Sequence, residues 1–389
     1  DSRPPFRPAE IAKYDGSNPY RYPDVDYYSS DFLKPMTNST RVLGEFTSGN
    51  DVARFYANIV WENHDKLYKV DEYSTGYNRF KIRSNIDFNI TPSLKSFVDA
   101  FFVFDLDQNP RTDFFTLAST LRPNDYAPLL PVDLIEDPSI LEGVDIIDGK
   151  GILGGHTESG KNSYGKNIYG ELNRNGYQRD YRRTMQFNIG LVYDLSKIMK
   201  GLSLRGTMNI DTYGGYSEAI QNTYALYEPV WSDATGKIFK INRINQDTKT
   251  GVMTLQSGTF SRGIGANIAA DYKRTFNGKH TVSASVLGFY SYRSLENSVY
   301  SDRNSHIGFN AAYSYNDRFM VDFSGALIHS LKLASGHRNA FSPTLGLSWI
   351  PVGAAGRNDS YWINFLKLKA SAGILHTDTD LGYNLWKYT

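Results

Sequence analysis

Aromatic residues stand beside amides in two long stretches without regular periodicity, 105–180 and 212–259. An aromatic ring can stack on the apolar face of a sugar or peptide, and an amide can hydrogen-bond to the rim of such a ligand. Packing of the two stretches on each other would use the same residue types, so both interpretations stay open. The candidate ligand-binding residues are Tyr164, Tyr169, Asn173, Tyr177, Tyr224, Tyr227 and Trp231.

Charged residues of both signs occupy alternate positions in other parts of the chain. A wall of mixed charge suits a neutral or zwitterionic ligand better than a strongly charged one. Pairing of these charges with one another, or with a separate domain, is the other interpretation. The residues in question, which we expect to share one face of a sheet, are Arg79, Lys81, Arg83, Asp99, Arg205 and Asp211.

Motifs for catalysis or metal binding are missing from the sequence. The 7 His residues form no His-Glu-x-x-His pattern, and no Gly-x-Ser-x-Gly elbow occurs. Asp105, Asp107 and Asn109 have the spacing that opens a calcium loop, but Pro110 replaces the bend glycine and Thr116 the bidentate glutamate. We therefore expect no catalytic residues, no metal and no cofactor, and predict that the protein is not an enzyme.

The elements that position these residues are predicted by alternation. From Arg79 to Ile90 polar and apolar residues alternate, which is the period of a strand. The turn at 91–93 leads to a second alternating run, Leu94 to Phe104. Each run has the roughly 9–11 residues that a tilted strand needs to cross a bilayer. One such hairpin would also fit a soluble sandwich, because a sandwich likewise buries one face.

The order of the connections separates these alternatives. Short links at 48–51, 91–93, 196–201, 277–279 and 316–318 alternate with longer ones at 63–76, 105–180, 212–259, 292–305 and 329–339. Long and short connections would therefore lie at opposite ends of the strands, as in outer-membrane barrels and unlike a Greek-key sandwich. We predict an all-β fold: an antiparallel transmembrane β-barrel, of which this chain supplies about twelve strands.

The predicted organisation has three parts. Residues 1–40 form an irregular approach segment with a short helical turn near Ala9–Tyr14. Residues 41–375 form the barrel segment, and 376–389 begin a further outer loop. Composition agrees: Tyr (28), Phe (22) and Gly (33) are frequent, and there is no Cys. No run of 18 apolar residues occurs, which excludes a transmembrane helix but not a barrel with alternating strands.

Several segments resemble the SusC/RagA family of TonB-dependent outer-membrane transporters of Bacteroidetes. The matching motifs are the Gly-rich turn at 48–51 before Arg54-Phe55-Tyr56, the strands RFKIRSNIDFNIT (79–91) and DLSKIMKGLSLRG (194–206), the turn YSYNDRFMVDF (313–323), and the strands FSPTLGLSWI (341–350) and FLKLKASAG (365–373). The chain departs from the family pattern at Phe341-Ser342-Pro343, where the order is inverted, and at 328–331.

The resemblance implies a nutrient importer in the outer membrane of a Gram-negative bacterium, crossing it many times. Family members carry an upstream plug and a TonB-binding segment, and we expect both to lie outside this stretch. The implied cargo is an oligosaccharide or an oligopeptide. The implied partners are TonB, outer-membrane lipid and a SusD-like surface lipoprotein that covers the outer loops, with no role for nucleic acid.

Other functions fit the same pattern. A SusC-like barrel that serves as a structural subunit of a multi-protein outer-membrane machine, without active transport, is the main alternative. A passive porin and a soluble carbohydrate-binding β-protein are two further possibilities. Stable co-purification with assembly proteins would favour the first, and solubility without detergent would favour the last.

Overall fold

The computed structural model describes residues 7–122, 124–144, 146, 156–296, 301–353, 363, 365–378 and 381–383. Its twelve long strands are β1 (Ser39–Gly49), β2 (Ala53–His64), β3 (Gly76–Thr91), β4 (Leu94–Pro110), β7 (Tyr177–Asp194), β8 (Leu202–Ile220), β11 (Met253–Phe276), β12 (His280–Leu295), β13 (Asp302–Tyr315), β14 (Phe319–Ser330), β15 (Asn339–Val352) and β16 (Leu366–Gly373). The short strands are β5 (Leu129–Pro131), β6 (His156–Glu158), β9 (Leu226–Trp231) and β10 (Ile238–Ile244).

The described residues also form three short α-helices: α1 (Pro8–Ile11), α2 (Phe114–Thr120) and α3 (Ile168–Asn173). Two 3-10 turns cover Val132–Leu134 and Pro138–Leu141. No helix in the described part of the chain has the length and apolar character needed to cross a membrane.

The twelve long strands form one antiparallel sheet in chain order, β1-β2-β3-β4-β7-β8-β11-β12-β13-β14-β15-β16. The order follows the sequence because each strand turns back directly beside its predecessor. The two other pairs, β5 with β6 and β9 with β10, lie outside this sheet. The prediction of about twelve antiparallel strands is confirmed.

Short and long connections lie at opposite ends of the sheet, as predicted. The turn between β11 and β12 places Asn277 (φ 51°) and Gly278 (φ 64°) in the left-handed region, and the turn between β13 and β14 does the same with Asn316 (φ 51°) and Asp317 (φ 53°). Asn, Asp and Gly tolerate this conformation, which matches the twist of a hairpin. We call this the short-turn end and the opposite one the long-loop end.

Strands of the large sheet continue further toward the long-loop end than the sequence predicts, and the longest extensions are those of β4, β7, β8 and β11. The predicted connection 105–180 is reduced to 111–176 because β4 and β7 are longer, and 212–259 is reduced to 221–252 because β8 and β11 are longer. β3 begins at Gly76 rather than at Arg79. Polar residues and glycines predominate in these extensions, so the alternation is too weak to reveal a strand. Most of the predicted link 351–362 and residues 379–380 and 384–389 of the predicted final loop lie outside the described residues.

One face of the sheet carries large apolar side chains that remain exposed. Ile268 on β11 is 58% exposed and Leu345 on β15 is 47% exposed. The aromatic residues of this face toward the short-turn end include four that we call the aromatic girdle: Tyr193, Tyr272, Tyr313 and Trp349. An apolar outer band ending in aromatic residues is typical of a barrel surface in contact with lipid.

The buried core of the protein lies mainly at the long-loop end. We call residues 111–176 and 221–252 the outer cap. Its first apolar cluster includes Phe114 and Leu117 of α2 with Ile168 and Leu172 of α3, and its second includes Leu130 and Ile238. The approach segment contributes Tyr27 to the first cluster and Tyr20 to the second, so it packs against the cap.

Candidate functional site

The charged face of the sheet holds all six residues predicted to share it. On this face Asp99 stands opposite Asn188, and Asn188 stands opposite Asn209. Arg205 and Asp211 are separated from Asn209 by even numbers of residues and therefore point the same way. The remaining three alternate along β3: Arg79, Lys81 and Arg83.

Ion pairs organise this face near the long-loop end. Asp105 accepts hydrogen bonds from Arg79 Nε at 2.6 Å and Nη2 at 3.1 Å, and a third from the Tyr77 hydroxyl at 3.0 Å. Lys81 Nζ lies 3.3 Å from a carboxylate oxygen of Glu62. These charges pair with one another within the sheet, which agrees with the second of the two interpretations of the charged residues.

The three residues with calcium-loop spacing, Asp105, Asp107 and Asn109, belong to β4 and lie near the long-loop end. Asp107 forms an ion pair with Lys66 at 2.6 Å, and Asn109 Oδ1 accepts a hydrogen bond from the Tyr68 hydroxyl at 3.0 Å. Their spacing is therefore that of alternate strand positions. Among the described residues, no group of three or more His, Asp or Glu side chains could hold a metal ion.

A concavity of about 300 Å³, which we call the wall niche, opens on the charged face. Asp99 Oδ1 accepts a hydrogen bond from Asn85 Nδ2, and Arg83 makes no ion pair with any described residue. The niche thus offers a cation, a carboxylate and amides beside one aromatic ring. Its lining includes Arg83, Asn85, Asp99, Phe101, Gln186 and Asn188.

Further along this face Arg205 and Asp271 interact across adjacent strands. Arg205 Nη2 lies 3.6 Å from Asp271 Oδ2, and the Ser285 hydroxyl donates to Asp271 Oδ1 at 2.7 Å. Asp211 stands opposite Gln186, with Asn209 Nδ2 3.5 Å from its carboxylate. The face is therefore polar across the whole width from β3 to β12.

Four of the seven candidate ligand-binding residues are buried inside the outer cap. Tyr169, Asn173, Tyr224 and Tyr227 are each 8% exposed or less. Asn173 accepts from the backbone N–H of Asp71 at 2.7 Å and donates to the Tyr169 carbonyl at 3.1 Å. In this arrangement these side chains pack the loops on one another, and a ligand could reach them only if the cap opened.

Burial also changes the acidity of the cap tyrosines. Desolvation, followed by the nearby charge of Asp71, raises the pKa of Tyr169 to about 12. Desolvation likewise raises the pKa of Tyr224, with a further contribution from Glu171. Both phenols therefore remain neutral donors over the physiological range of pH.

The other three candidates are partly exposed. Tyr164 and Trp231 pack against the two apolar clusters of the cap. Tyr177, at the start of β7, has its ring 5.1 Å from that of Tyr73 and 5.0 Å from the guanidinium of Arg179. Tyr177 also lines a concavity of about 490 Å³, which we call the cap niche, together with Glu72, Tyr73, Asn173, Asn222 and Lys249.

A buried polar network, which the sequence did not predict, joins the segments of the outer cap. Glu171 is 6% exposed and accepts hydrogen bonds from the Tyr224 hydroxyl at 2.8 Å and from Asn175 Nδ2 at 3.0 Å. It also accepts from the Thr112 hydroxyl. Because an ionised carboxylate is costly to bury without partners, these donors fix the position of α3.

Arg174 ties the two long connections together. Its guanidinium donates to Glu158 Oε2 at 3.1 Å and to Asp247 Oδ1 at 3.2 Å. Glu158 is the last residue of β6 in the first connection, whereas Asp247 belongs to the second. No pattern in the sequence signals this network, since its members are up to 89 residues apart (158 to 247) and follow no period.

The fold and the two niches define a class of protein. A sheet of twelve long antiparallel strands, apolar and exposed on one face and charged on the other, with short turns at one end and a packed cap at the other, is the architecture of an outer-membrane β-barrel.

Solved structures with a similar fold include chains of the RagAB peptide importer. In the "closed-closed" state the chain is 13% identical to this one, with a TM-score of 0.55 over 94% of this chain and 41% of that chain. In the "open-open" state the identity is 14% and the TM-score 0.55, over 95% and 42%. The predicted resemblance to the SusC/RagA transporters, and with it the β-barrel fold class, is confirmed.

The present chain spans about two fifths of the length of those importer chains. No protein-family model matches it, and no curated protein matches it. At a sequence identity of 13–14%, the similarity to these importer chains establishes the fold alone.

Proposed function

We propose that this chain is the barrel segment of a TonB-dependent importer in the outer membrane of a Gram-negative bacterium. The observation that carries the proposal is the opposite chemistry of the two sheet faces. One face exposes Ile268, Leu345 and similar side chains, while the other holds charges and amides in register. A sheet of this kind is stable where lipid lies outside and a polar passage lies inside.

The polar passage suits a cargo with amides and charges of both signs. In the wall niche, Arg83 has no ion-pair partner among the described residues and Asp99 has one carboxylate oxygen bonded to Asn85. A peptide carboxylate or a sugar hydroxyl can pair with the guanidinium, and backbone amides can pair with the side-chain amides. We therefore propose oligopeptides or oligosaccharides as cargo. The RagAB chains with a similar fold belong to a peptide importer, which favours oligopeptides.

The outer cap is the proposed site of capture. The cap niche combines the ring of Tyr177 with Glu72 and Lys249, and it lies at the long-loop end. We propose that a SusD-like surface lipoprotein covers this end, and that cargo is held between that lid and the cap. Release inward would then be driven by TonB through a plug. No bond of the cargo is made or broken in this scheme.

The test is uptake by cells that carry the complete native protein. We expect energised uptake of a labelled zwitterionic oligopeptide, abolished by an uncoupler and by deletion of residues 221–252. Heat-modifiable gel mobility of the deletion variant reports whether the barrel still assembles. Undiminished uptake in an assembled deletion variant would refute the role of the cap.

A point variant tests the wall niche. Replacing a charge-assisted hydrogen bond costs about 1.5–3 kcal/mol, so Arg83→Gln is expected to weaken peptide uptake about tenfold or more. Lys197→Gln, an exposed change at the short-turn end, is the matched control and should leave uptake unchanged. A protein that co-purifies with an assembly complex and shows no energised uptake would instead be the structural subunit considered above.

A further inference from the structure

Arginines occur on the apolar face of the sheet, where a charge is least expected, and three of them lie on one line. Arg183 shares its face with Met185, and Arg262 shares its face with Ile264, because residues two apart on a strand point the same way. Arg303 stands directly opposite Tyr292, which in turn stands opposite Ile264. All three side chains are exposed. We call Arg183, Arg262 and Arg303 the arginine row.

The register shows that the arginine row is a straight line across the sheet. Arg262 is level with Met185, two residues beyond Arg183, because both stand opposite Thr212. Arg303 is level with Ile264, two residues beyond Arg262. Each step therefore advances two residues, about 6.6 Å, over two strand spacings of about 4.8 Å. The slope corresponds to about 35°, which is the usual tilt of barrel strands to the axis.

A line with this slope has constant height in a membrane, and the aromatic girdle runs parallel to it. Arg183 precedes Tyr193, Arg262 precedes Tyr272 and Arg303 precedes Tyr313, each by ten residues. Ten residues of strand extend about 33 Å, or about 25 Å along the axis of a barrel tilted by roughly 40°. That height equals the apolar band of outer-membrane barrels. The arginine row therefore marks the boundary opposite to the girdle, at the long-loop end.

Nothing in the described part of the chain neutralises the arginine row. None of its three members forms an ion pair with a described carboxylate within 4.0 Å. The carboxylates on the same face, Glu218 and Glu296, lie further toward the long-loop end. Glu218 stands opposite Arg179, and the backbone N–H of Glu296 donates to the Phe260 carbonyl. The guanidinium of Arg303 lies 5.8 Å from the ring of Tyr292, which supports the side chain without changing its charge.

We propose that the arginine row binds the phosphate groups of glycolipid headgroups in the outer leaflet of the membrane. Neighbouring arginines are about 12 Å apart, from two strand spacings and two residues of rise. A guanidinium pairs with a phosphate through two parallel hydrogen bonds, and its long stem can lie along apolar surface while the charge reaches the headgroup layer. Anionic headgroups are thus the complementary partner at this height, whereas acyl chains cover the band below.

The proposal rests on the membrane placement given under the proposed function, but not on transport. The test uses the complete native protein, purified in a neutral detergent. Binding of diphosphoryl lipid A is measured by native mass spectrometry and by thermal stabilisation. Each cation near an anionic surface contributes about fivefold in affinity, so the triple variant Arg183→Gln, Arg262→Gln, Arg303→Gln should bind about a hundredfold more weakly. The binding should also weaken as salt is raised.

The matched control removes three exposed cations from the short-turn end, with the substitutions Lys197→Gln, Lys200→Gln and Lys279→Gln. We expect it to bind like the native protein. Dephosphorylated lipid A should bind both proteins weakly, and inorganic phosphate should compete poorly because it lacks the acyl chains. Equal affinity of the native protein and the arginine variant, or equal binding of the dephosphorylated lipid, would overturn the proposal.

Failure of the two proposals can be told apart. Insertion of all variants into phosphatidylcholine vesicles, together with no preference for the phosphorylated lipid, refutes the arginine row alone. Preference for the phosphorylated lipid without energised uptake refutes transport alone. A native protein that stays soluble without detergent and enters no vesicle refutes both, because the membrane placement is then wrong.

Discussion

The sheet and the outer cap place their large apolar side chains in opposite surroundings. Phe114 and Leu226 in the cap are 0% exposed, whereas Ile268 and Leu345 in the sheet are about half exposed. The cap therefore folds as a domain in water does, around its own core, while the sheet turns its apolar surface outward. The two regions therefore suit different surroundings, and the boundary between them lies where the long strands pass into the cap.

Polar groups follow the reverse rule in the two regions. The cap buries Glu171 and Glu158 among hydrogen-bond donors from separate segments, which holds its loops in one arrangement. The sheet leaves Arg83 exposed on its charged face, with no ion pair to a described residue. A hydrogen-bonded network is rigid, so the interior of the cap fixes the shape of the loops. An exposed charge without a partner is available to a ligand, so the sheet offers contacts to a ligand.

The largest expected effect comes from truncating the core of the cap. Phe114→Ala removes a ring packed 5.9 Å from that of Tyr68, and it should destabilise the cap by about 3–5 kcal/mol through lost transfer energy and a cavity. The matched change Phe323→Ala, on the lipid side of β14, leaves no closed cavity because acyl chains can fill the space. It should cost only the transfer part, roughly 1.5–3 kcal/mol.

Denaturant titration of the purified protein checks this difference. Limited proteolysis follows the cap, and heat-modifiable gel mobility follows the sheet. In the Phe114→Ala variant the cap should become protease-sensitive at a lower denaturant concentration while the sheet transition stays in place. If the two transitions moved together, the cap and sheet would be a single cooperative unit and the contrast drawn above would be wrong.

A charge placed at the centre of the apolar band should have the next largest effect. Ile268 lies six residues beyond Arg262 and four before Tyr272, close to the middle of the band. Ile268→Arg should cost about 2–4 kcal/mol and slow insertion into phosphatidylcholine vesicles. Val252→Arg adds the same side chain at a position that is 64% exposed outside the sheet, and it should change stability by less than about 0.5 kcal/mol. Equal insertion of both variants would mean that Ile268 does not face lipid.

Alternation of residue types predicted the sheet because its two faces meet different surroundings. Every strand from β1 to β16 in the large sheet was expected, since positions such as Phe80 and Arg79 differ in polarity at each step. The same reasoning missed the end of β4, where Asp105, Asp107, Gln108 and Asn109 outnumber the apolar Leu106 and resemble a polar loop.

The interior of the cap lay beyond such reasoning. Helix α3 is 6 residues long, which is too short for a helical period to appear, and its stability comes from packing rather than from propensity. The contacts of Glu171 with Tyr224, and of Arg174 with Asp247, join distant segments. Tyr169 and Tyr227 were predicted as candidate ligand contacts, with packing of the loops as the alternative, because composition alone does not distinguish a ligand site from a core.

The smallest expected effect concerns one buried hydroxyl group and the pH range of the cap. Tyr27 is 4% exposed, and its hydroxyl has no hydrogen-bond partner among the described residues. Desolvation raises its pKa to about 12. Since the pKa is raised on folding, the neutral phenol stabilises the folded state below about pH 10, and this contribution is lost as the pH rises toward about 12.

Tyr27→Phe removes both the unpartnered hydroxyl and the ionisable proton. It should therefore stabilise the cap by about 1 kcal/mol and shift its alkaline unfolding to higher pH. Tyr28→Phe, the neighbouring change at a side chain that is 55% exposed, should do neither. Proteolysis of the cap at increasing pH, with tyrosinate absorbance recorded in parallel, provides the measurement. A destabilised Tyr27→Phe variant would show that the hydroxyl has a partner in the folded protein, and that water reaches this apolar cluster.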